Sequence, residues 1–102
     1  MPFQFLGTSG AVPSAARDNT ALVFYSAEDT VLVDCSGSPY QKILKAGLDP
    51  MRVTSLIVTH RHVDHLYGIP SLAHNMGLAG RRAPLHIYAL PETLPILNGF
   101  LD

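Results

Sequence analysis

The sequence predicts an α/β layered fold with an antiparallel start, and three observations predict it. Thr20–Tyr25 and Thr30–Val33 are two apolar, β-branched runs separated by the turn-like Ser26-Ala27-Glu28-Asp29, the pattern of a hairpin. Ser55-Leu56-Ile57-Val58-Thr59 is a continuous apolar run of the kind a strand covered on both faces requires. Ile69, Leu72, Ala73 and Met76 recur at helical spacing, with Ser71, His74 and Asn75 on the opposite side.

The remaining elements fall between these. Phe3-Gln4-Phe5-Leu6 alternates as a strand does and runs into Gly7–Ser14, where two glycines, two serines and a proline make a loop. After the hairpin, Ser36-Gly37-Ser38-Pro39 breaks the chain. Ser38 is placed to cap a helix with Pro39 at its first position. That helix turns Tyr40, Ile43 and Leu44 inward and stops near Gly47. Gly77 and Gly80 bracket the end of the next helix. Leu85-His86-Ile87-Tyr88 reads as a last strand. Pro91-Glu92-Thr93-Leu94 opens a last helix, with Pro95 in its first turn. The order β, β-β, α, β, α, β, α belongs to layered α/β proteins.

Composition excludes several classes. With 102 residues the chain has room for one small domain. At 47% hydrophobic and 15% charged it is too apolar for a disordered chain, and its apolar runs are too interrupted for a membrane span. No secretory signal is read in Met1–Phe5. A single cysteine, Cys35, cannot form an internal disulfide, which fits a reducing, cytoplasmic setting. A net charge of −1 gives no global basic field for nucleic acid, although a local basic site is compatible with it.

The sharpest signal is Thr59-His60-Arg61-His62-Val63-Asp64-His65. Three of the five histidines fall here, with an aspartate, between a strand and a helix. His60 and His62 are two apart, so an extended segment points both imidazoles to one side, where they can share an ion. Asp64 and His65 follow once the chain has begun to turn and would address a second ion. Imidazole and carboxylate suit zinc and, less selectively, manganese, iron or cobalt. Two ions about 4 Å apart can bridge a water, lower its pKa and clamp a substrate oxygen. Asp64 could also manage that water's proton. A solvated, inert loop is the alternative, and four ligand-type side chains at this spacing argue against it.

At this motif the sequence resembles the metallo-β-lactamase superfamily, whose signature is His-x-His-x-Asp-His. The resemblance covers nearly all of the chain and is nearest to the ribonuclease Z branch. Phe5–Pro13 looks like that branch's opening strand and loop, and Val31–Cys35 like its third strand. Ile57–Pro70 looks like its metal loop and following helix, and Pro84–Tyr88 like its next strand. The resemblance implies the N-terminal half of an αββα sandwich: a mixed sheet with helices on one face, spanning residues 1–102. It implies His60 and His62 on a first zinc and Asp64 and His65 on a second, the remaining ligands lying in the other half. Asp34 would either orient a ligand histidine or cap a turn at a strand end; both readings stand. The Gly7–Pro13 segment would either line the cleft or form an ordinary tight turn. The branch cleaves a phosphodiester at the 3′ end of precursor transfer RNA with a metal-activated water. Where the branch continues with Gly-Glu-Gly and a glutamine-bearing helix start, this chain reads Ser36-Gly37-Ser38-Pro39-Tyr40. That leaves open another hydrolase of small esters or phosphodiesters, or a non-catalytic metal-binding module.

Other residues carry weaker signals. His74 lies on the polar side of its helix and His86 alternates with apolar neighbours, so both read as solvated or satisfied rather than as ligands. Arg81-Arg82 reads as a solvated loop pair sooner than as a phosphate contact. Cys35 reads as a small buried residue, not a nucleophile. Tyr67 borders the cleft more readily than Tyr40 does. A single half of a sandwich exposes an apolar sheet face, so association with a second copy or with the complementary half is expected.

Overall fold

The computed structural model describes residues 2–7, 12, 21–35, 37–59 and 63–101, the side chains of Val63, Asp64, Phe100 and Leu101 apart. The chain forms β1 (Phe3–Gly7), β2 (Ala21–Tyr25), β3 (Thr30–Val33), α1 (Pro39–Lys45), β4 (Val53–Ile57), α2 (Val63–Leu66), α3 (Ile69–Leu78), β5 (His86–Tyr88) and α4 (Leu94–Leu101), with a 3₁₀ turn at Pro50–Arg52. The strands make one sheet in the order β1-β2-β3-β4-β5. β1–β2 and β2–β3 pair antiparallel, and β3–β4 and β4–β5 pair parallel. The change at β3 follows from the connections. Residues 26–29 suffice for a hairpin, in which Ser26 Oγ accepts from the amides of Glu28 and Asp29. Parallel partners need long crossovers, which α1 and then α2–α3 supply.

Register decides which residues share a face. Gln4, Val23, Leu32, Leu56 and Ile87 are cross-strand neighbours on one face. Val23, Leu32 and Leu56 of this row are fully buried, in one core with Ile43 of α1, Ile69, Leu72 and Met76 of α3, and Leu97 of α4. Full burial of one such side chain stabilises by about 1.5–3 kcal/mol. The expected mixed sheet with helices on one face is therefore the observed fold. The opposite face carries two rows: Phe3, Phe24, Val31, Ser55 and His86, then Phe5, Leu22, Val33, Ile57 and Tyr88. None of these joins the core. Phe3 and Phe5 are 55% and 59% exposed, and their rings meet edge to face. Among the described residues, no helix is long and apolar enough to cross a membrane.

Four sequence expectations are corrected. The strand expected at 55–59 is β4 at Val53–Ile57. Asp49 caps the 3₁₀ turn by accepting from the amide of Met51 at 2.9 Å, and this delivers the chain into the ladder at buried Val53. Val58 and Thr59 leave it, although the Val58 amide still donates to the Tyr88 carbonyl at 2.9 Å. Leu44 does not turn inward: it is 53% exposed, because the buried stripe of α1 is Pro39 and Ile43, and Leu44 sits a further ~100° around the helix. Ser38 occupies the N-cap position without a side-chain cap bond, its carbonyl accepting the Lys42 amide instead. The helix does stop as expected, at Gly47 with φ +81°, where the Leu48 amide reaches back to the Ile43 carbonyl.

The fourth correction is Arg81, which is not a solvated loop residue. Its Nη1 donates to the carbonyls of Met51 at 2.9 Å and Val53 at 2.6 Å. Nε reaches Ala83 at 3.0 Å and Nη2 reaches Pro84 at 2.8 Å. The guanidinium's forked donors thus bind the loop before β5 to the entrance of β4. Arg81→Ala should cost about 1–3 kcal/mol in urea denaturation, whereas exposed Arg82→Ala should change stability by no more than about 0.5 kcal/mol.

Candidate metal centre

Three segments meet at the C-terminal ends of β3 and β4: residues 34–35, residues 58–59 and helix α2. Asp34 extends the parallel pairing by one bond, its amide donating to the Ile57 carbonyl at 2.8 Å. There the backbone turns left-handed, with φ +61°, the only described residue besides glycine at positive φ. Aspartate is one of the few L-residues that tolerate this region, at a cost of about 1–2 kcal/mol.

The Asp34 side chain is nearly buried, at 5% exposure, and is fully engaged. Oδ1 accepts from the Thr59 amide at 2.8 Å. The Thr59 hydroxyl lies 3.0 Å from Oδ1 and 2.8 Å from Oδ2. His65 Nδ1 stands 2.7 Å from Oδ2. The backbone ties the same region: the Cys35 amide donates to the His65 carbonyl in α2 at 2.8 Å, and the Gly68 amide, at the N-cap of α3, donates to the Cys35 carbonyl at 2.9 Å.

This arrangement fixes the tautomer of His65. An ionised carboxylate only accepts, so the neutral ring carries its proton on Nδ1 and its lone pair on Nε2. A histidine held through one nitrogen by a carboxylate, with the other left basic, is the form in which imidazole binds a metal ion. Among the described residues, His65 alone is thus held in the manner of a metal-ligating imidazole.

Of the expected ligands, the structure places His65 in this position. His60 and His62 lie outside the described residues. Asp64 is placed by its backbone in α2, beside His65, and its side chain lies outside the description. Among the described residues no three His, Cys, Asp or Glu side chains gather. Of the two readings of Asp34, the geometry selects the one that orients a histidine. Thr59, read from sequence only as a strand end, proves to be Asp34's principal partner. Its one sequence signal was its place next to His60, because a bond across 25 positions leaves no local pattern. His74 and His86 are exposed, as expected. Of the Gly7–Pro13 segment only Gly7 and Val12 are described.

The chain matches the model of the family described as anti-Pycsar protein Apyc1 over residues 1–98. It is 42% identical over 91 residues to a ribonuclease Z of Methanothermobacter thermautotrophicus, covering 89% of this chain and 30% of that protein. It is 35% identical over 101 residues to a ribonuclease Z of Methanocaldococcus jannaschii, covering 99% and 32%. The crystal structure of the short form of human tRNase Z superposes with a TM-score of 0.85 at 29% identity, over 97% of this chain and 38% of that one. The metallo-β-lactamase fold protein YhfI of Bacillus subtilis gives 0.78 at 22% identity, over 95% and 41%, a likeness of fold alone. The chain spans about a third of the length of the curated relatives it matches.

Cys35 is fully buried, and burial pushes its thiol up to about 12 from the ordinary 9.0, with the Lys42 charge opposing and Asp34 adding. It is a packed, neutral group, as expected. Below pH 9.0 the thiol is neutral whether folded or unfolded. Above it the unfolded chain releases the proton first, so stability should fall as pH rises from 9.0 toward 12. In urea titrations, the stability of wild type relative to Cys35→Ala should decline over that window; a constant difference would contradict the burial argument.

Proposed function

The chain belongs to the anti-Pycsar protein Apyc1 family and to the ribonuclease Z-like branch of the metallo-β-lactamase superfamily, and from that membership we propose that it carries the metal-binding half of a metal-dependent hydrolase. The observation that carries this reading is the 2.7 Å contact by which buried Asp34 presents His65 as a ligand beside the His60–His65 motif. In this reading His60 and His62 hold a first zinc ion, and Asp64 and His65 hold a second. Manganese and iron are the other ions such donors accept. When bound, the ions supply Lewis acidity and lower the pKa of a water. The chain's own share is to orient His65 through Asp34 and to take up the water's proton at the Asp64 carboxylate.

The substrate we assign is a phosphodiester near the 3′ end of an RNA, precursor transfer RNA above all, in the cytoplasm. The ribonuclease Z relatives support it. The Ser36–Tyr40 segment, which departs from that branch's pattern, favours a second reading, in which the substrate is a small phosphodiester or ester. The remaining ligands belong to a second half that packs on the apolar sheet face, residues 1–102 forming the N-terminal half. In its absence a second copy covers that face.

Metal content measured on the purified chain tests the site. Zinc should be bound by wild type and lost in His60→Ala and Asp64→Ala; zinc retained in both variants rejects the ligand set. Turnover of precursor transfer RNA against bis(p-nitrophenyl) phosphate separates the two substrates, and metal binding without either activity favours a non-catalytic module. Light scattering should give a mass that rises above 11.0 kDa with concentration. A constant 11.0 kDa would reject association through the sheet face.

A further inference from the structure

We propose that Thr59 is a positioning residue whose hydroxyl locks the Asp34 carboxylate in the orientation that holds His65 with Nε2 ready to bind. The inference deepens the reading of His65 as a ligand and rests on it, but its geometry stands independently.

Asp34 is 5% exposed and sits at φ +61°, and its carboxylate is held by the Thr59 amide and by the side chains of Thr59 and His65. Among the described residues, the hydrogen bonds to the carboxylate come from Thr59 and His65. His65 Nδ1 reaches Oδ2, and Thr59 supplies both an amide to Oδ1 and a hydroxyl within 2.8 Å of Oδ2. The amide alone leaves the carboxylate free to pivot about its Oδ1 contact. The hydroxyl adds the second point, beside the oxygen that meets His65, and so fixes the plane of the group. Rotation of that plane moves Oδ2 away from Nδ1. The ring then loses both its orientation and the bond that keeps the proton off Nε2. Thr59 is thus one bond further from the cation than Asp34, and acts only through it. The methyl group carries no part of this, so serine should replace threonine and valine should not.

Two measurements on the full 102-residue chain test the proposal. In metal-free buffer, ¹⁵N correlation spectra of the imidazoles report which His65 nitrogen carries the proton. Wild type and Thr59→Ser should show the proton on Nδ1, and Thr59→Val should show a mixture of tautomers. Zinc affinity by competition with a chelating dye should fall about 10–100-fold in Thr59→Val and stay within about 3-fold in Thr59→Ser. A Thr59→Val chain with the wild-type tautomer and wild-type affinity overturns the proposal. If Thr59→Val does not fold, Thr59→Ser decides alone: a wild-type spectrum supports the hydroxyl lock and an altered one overturns it. A wild-type chain that shows the Nδ1 proton but binds no zinc overturns the metal reading, while the spectra of the two variants still support or overturn the lock.

Discussion

A carboxylate taken out of water must be surrounded by donors, and at Asp34 that requirement organises one whole end of the molecule. Its donors come from the end of β4 and from α2, both far from it in sequence. Satisfying them brings the ends of two parallel strands and a short helix to one point. The adjacent Cys35 adds one backbone bond to His65 of α2 and one to Gly68 at the start of α3, so α2 is held by main chain and side chain together. A four-residue helix has almost no stability of its own. Its position is set by these contacts and by Leu66, which is buried in the core.

The same end of the sheet explains the left-handed backbone at Asp34. The chain must leave β3, cross to α1 and still present a side chain back toward β4. A residue continuing in extended conformation would follow the ladder instead. The strain at φ +61° is offset by hydrogen bonds to a charged group, each of which contributes about 1.5–3 kcal/mol. Glycine would relieve the strain and lose the carboxylate, and alanine would keep the strain and lose the bonds. Only an acidic or amide side chain of this length satisfies both demands.

Much of this was legible in the sequence where the cause is local. The hairpin, the helical stripe of Ile69, Leu72 and Met76, and the stop at Gly47 each follow from neighbours within a few residues. The His-x-His-x-Asp-His spacing is legible for the same reason, because it lies in one short segment. What was not legible depends on partners distant in the chain. The start of β4 at Val53 is set by the Asp49-capped turn and by the pairing with Thr30. Arg81 reads as a loop residue because the carbonyls it binds at Met51 and Val53 lie about thirty positions earlier. Leu44 is apolar and helical, yet a helix of seven residues presents too narrow a stripe for it to share burial with Ile43. Thr59 belongs to this class as well.

The geometry of the candidate site is inherited from the hydrophobic core. β3 and β4 pair with Leu32 opposite Leu56 and Val33 opposite Ile57, and Asp34 and Thr59 stand one and two residues past that last pair. A slip of one residue in either strand would turn its core side chains toward the outer face and expose them. With Leu32 and Leu56 both fully buried, such a slip would forfeit about 1.5–3 kcal/mol for each side chain displaced. The same slip would carry Asp34 past Thr59 by one strand rise of about 3.3 Å, enough to break every bond to the carboxylate. The alternation of apolar residues that builds the layer therefore also fixes the register of the carboxylate, its threonine and the histidine. A polar site at the end of two strands is kept accurate by residues that never touch it.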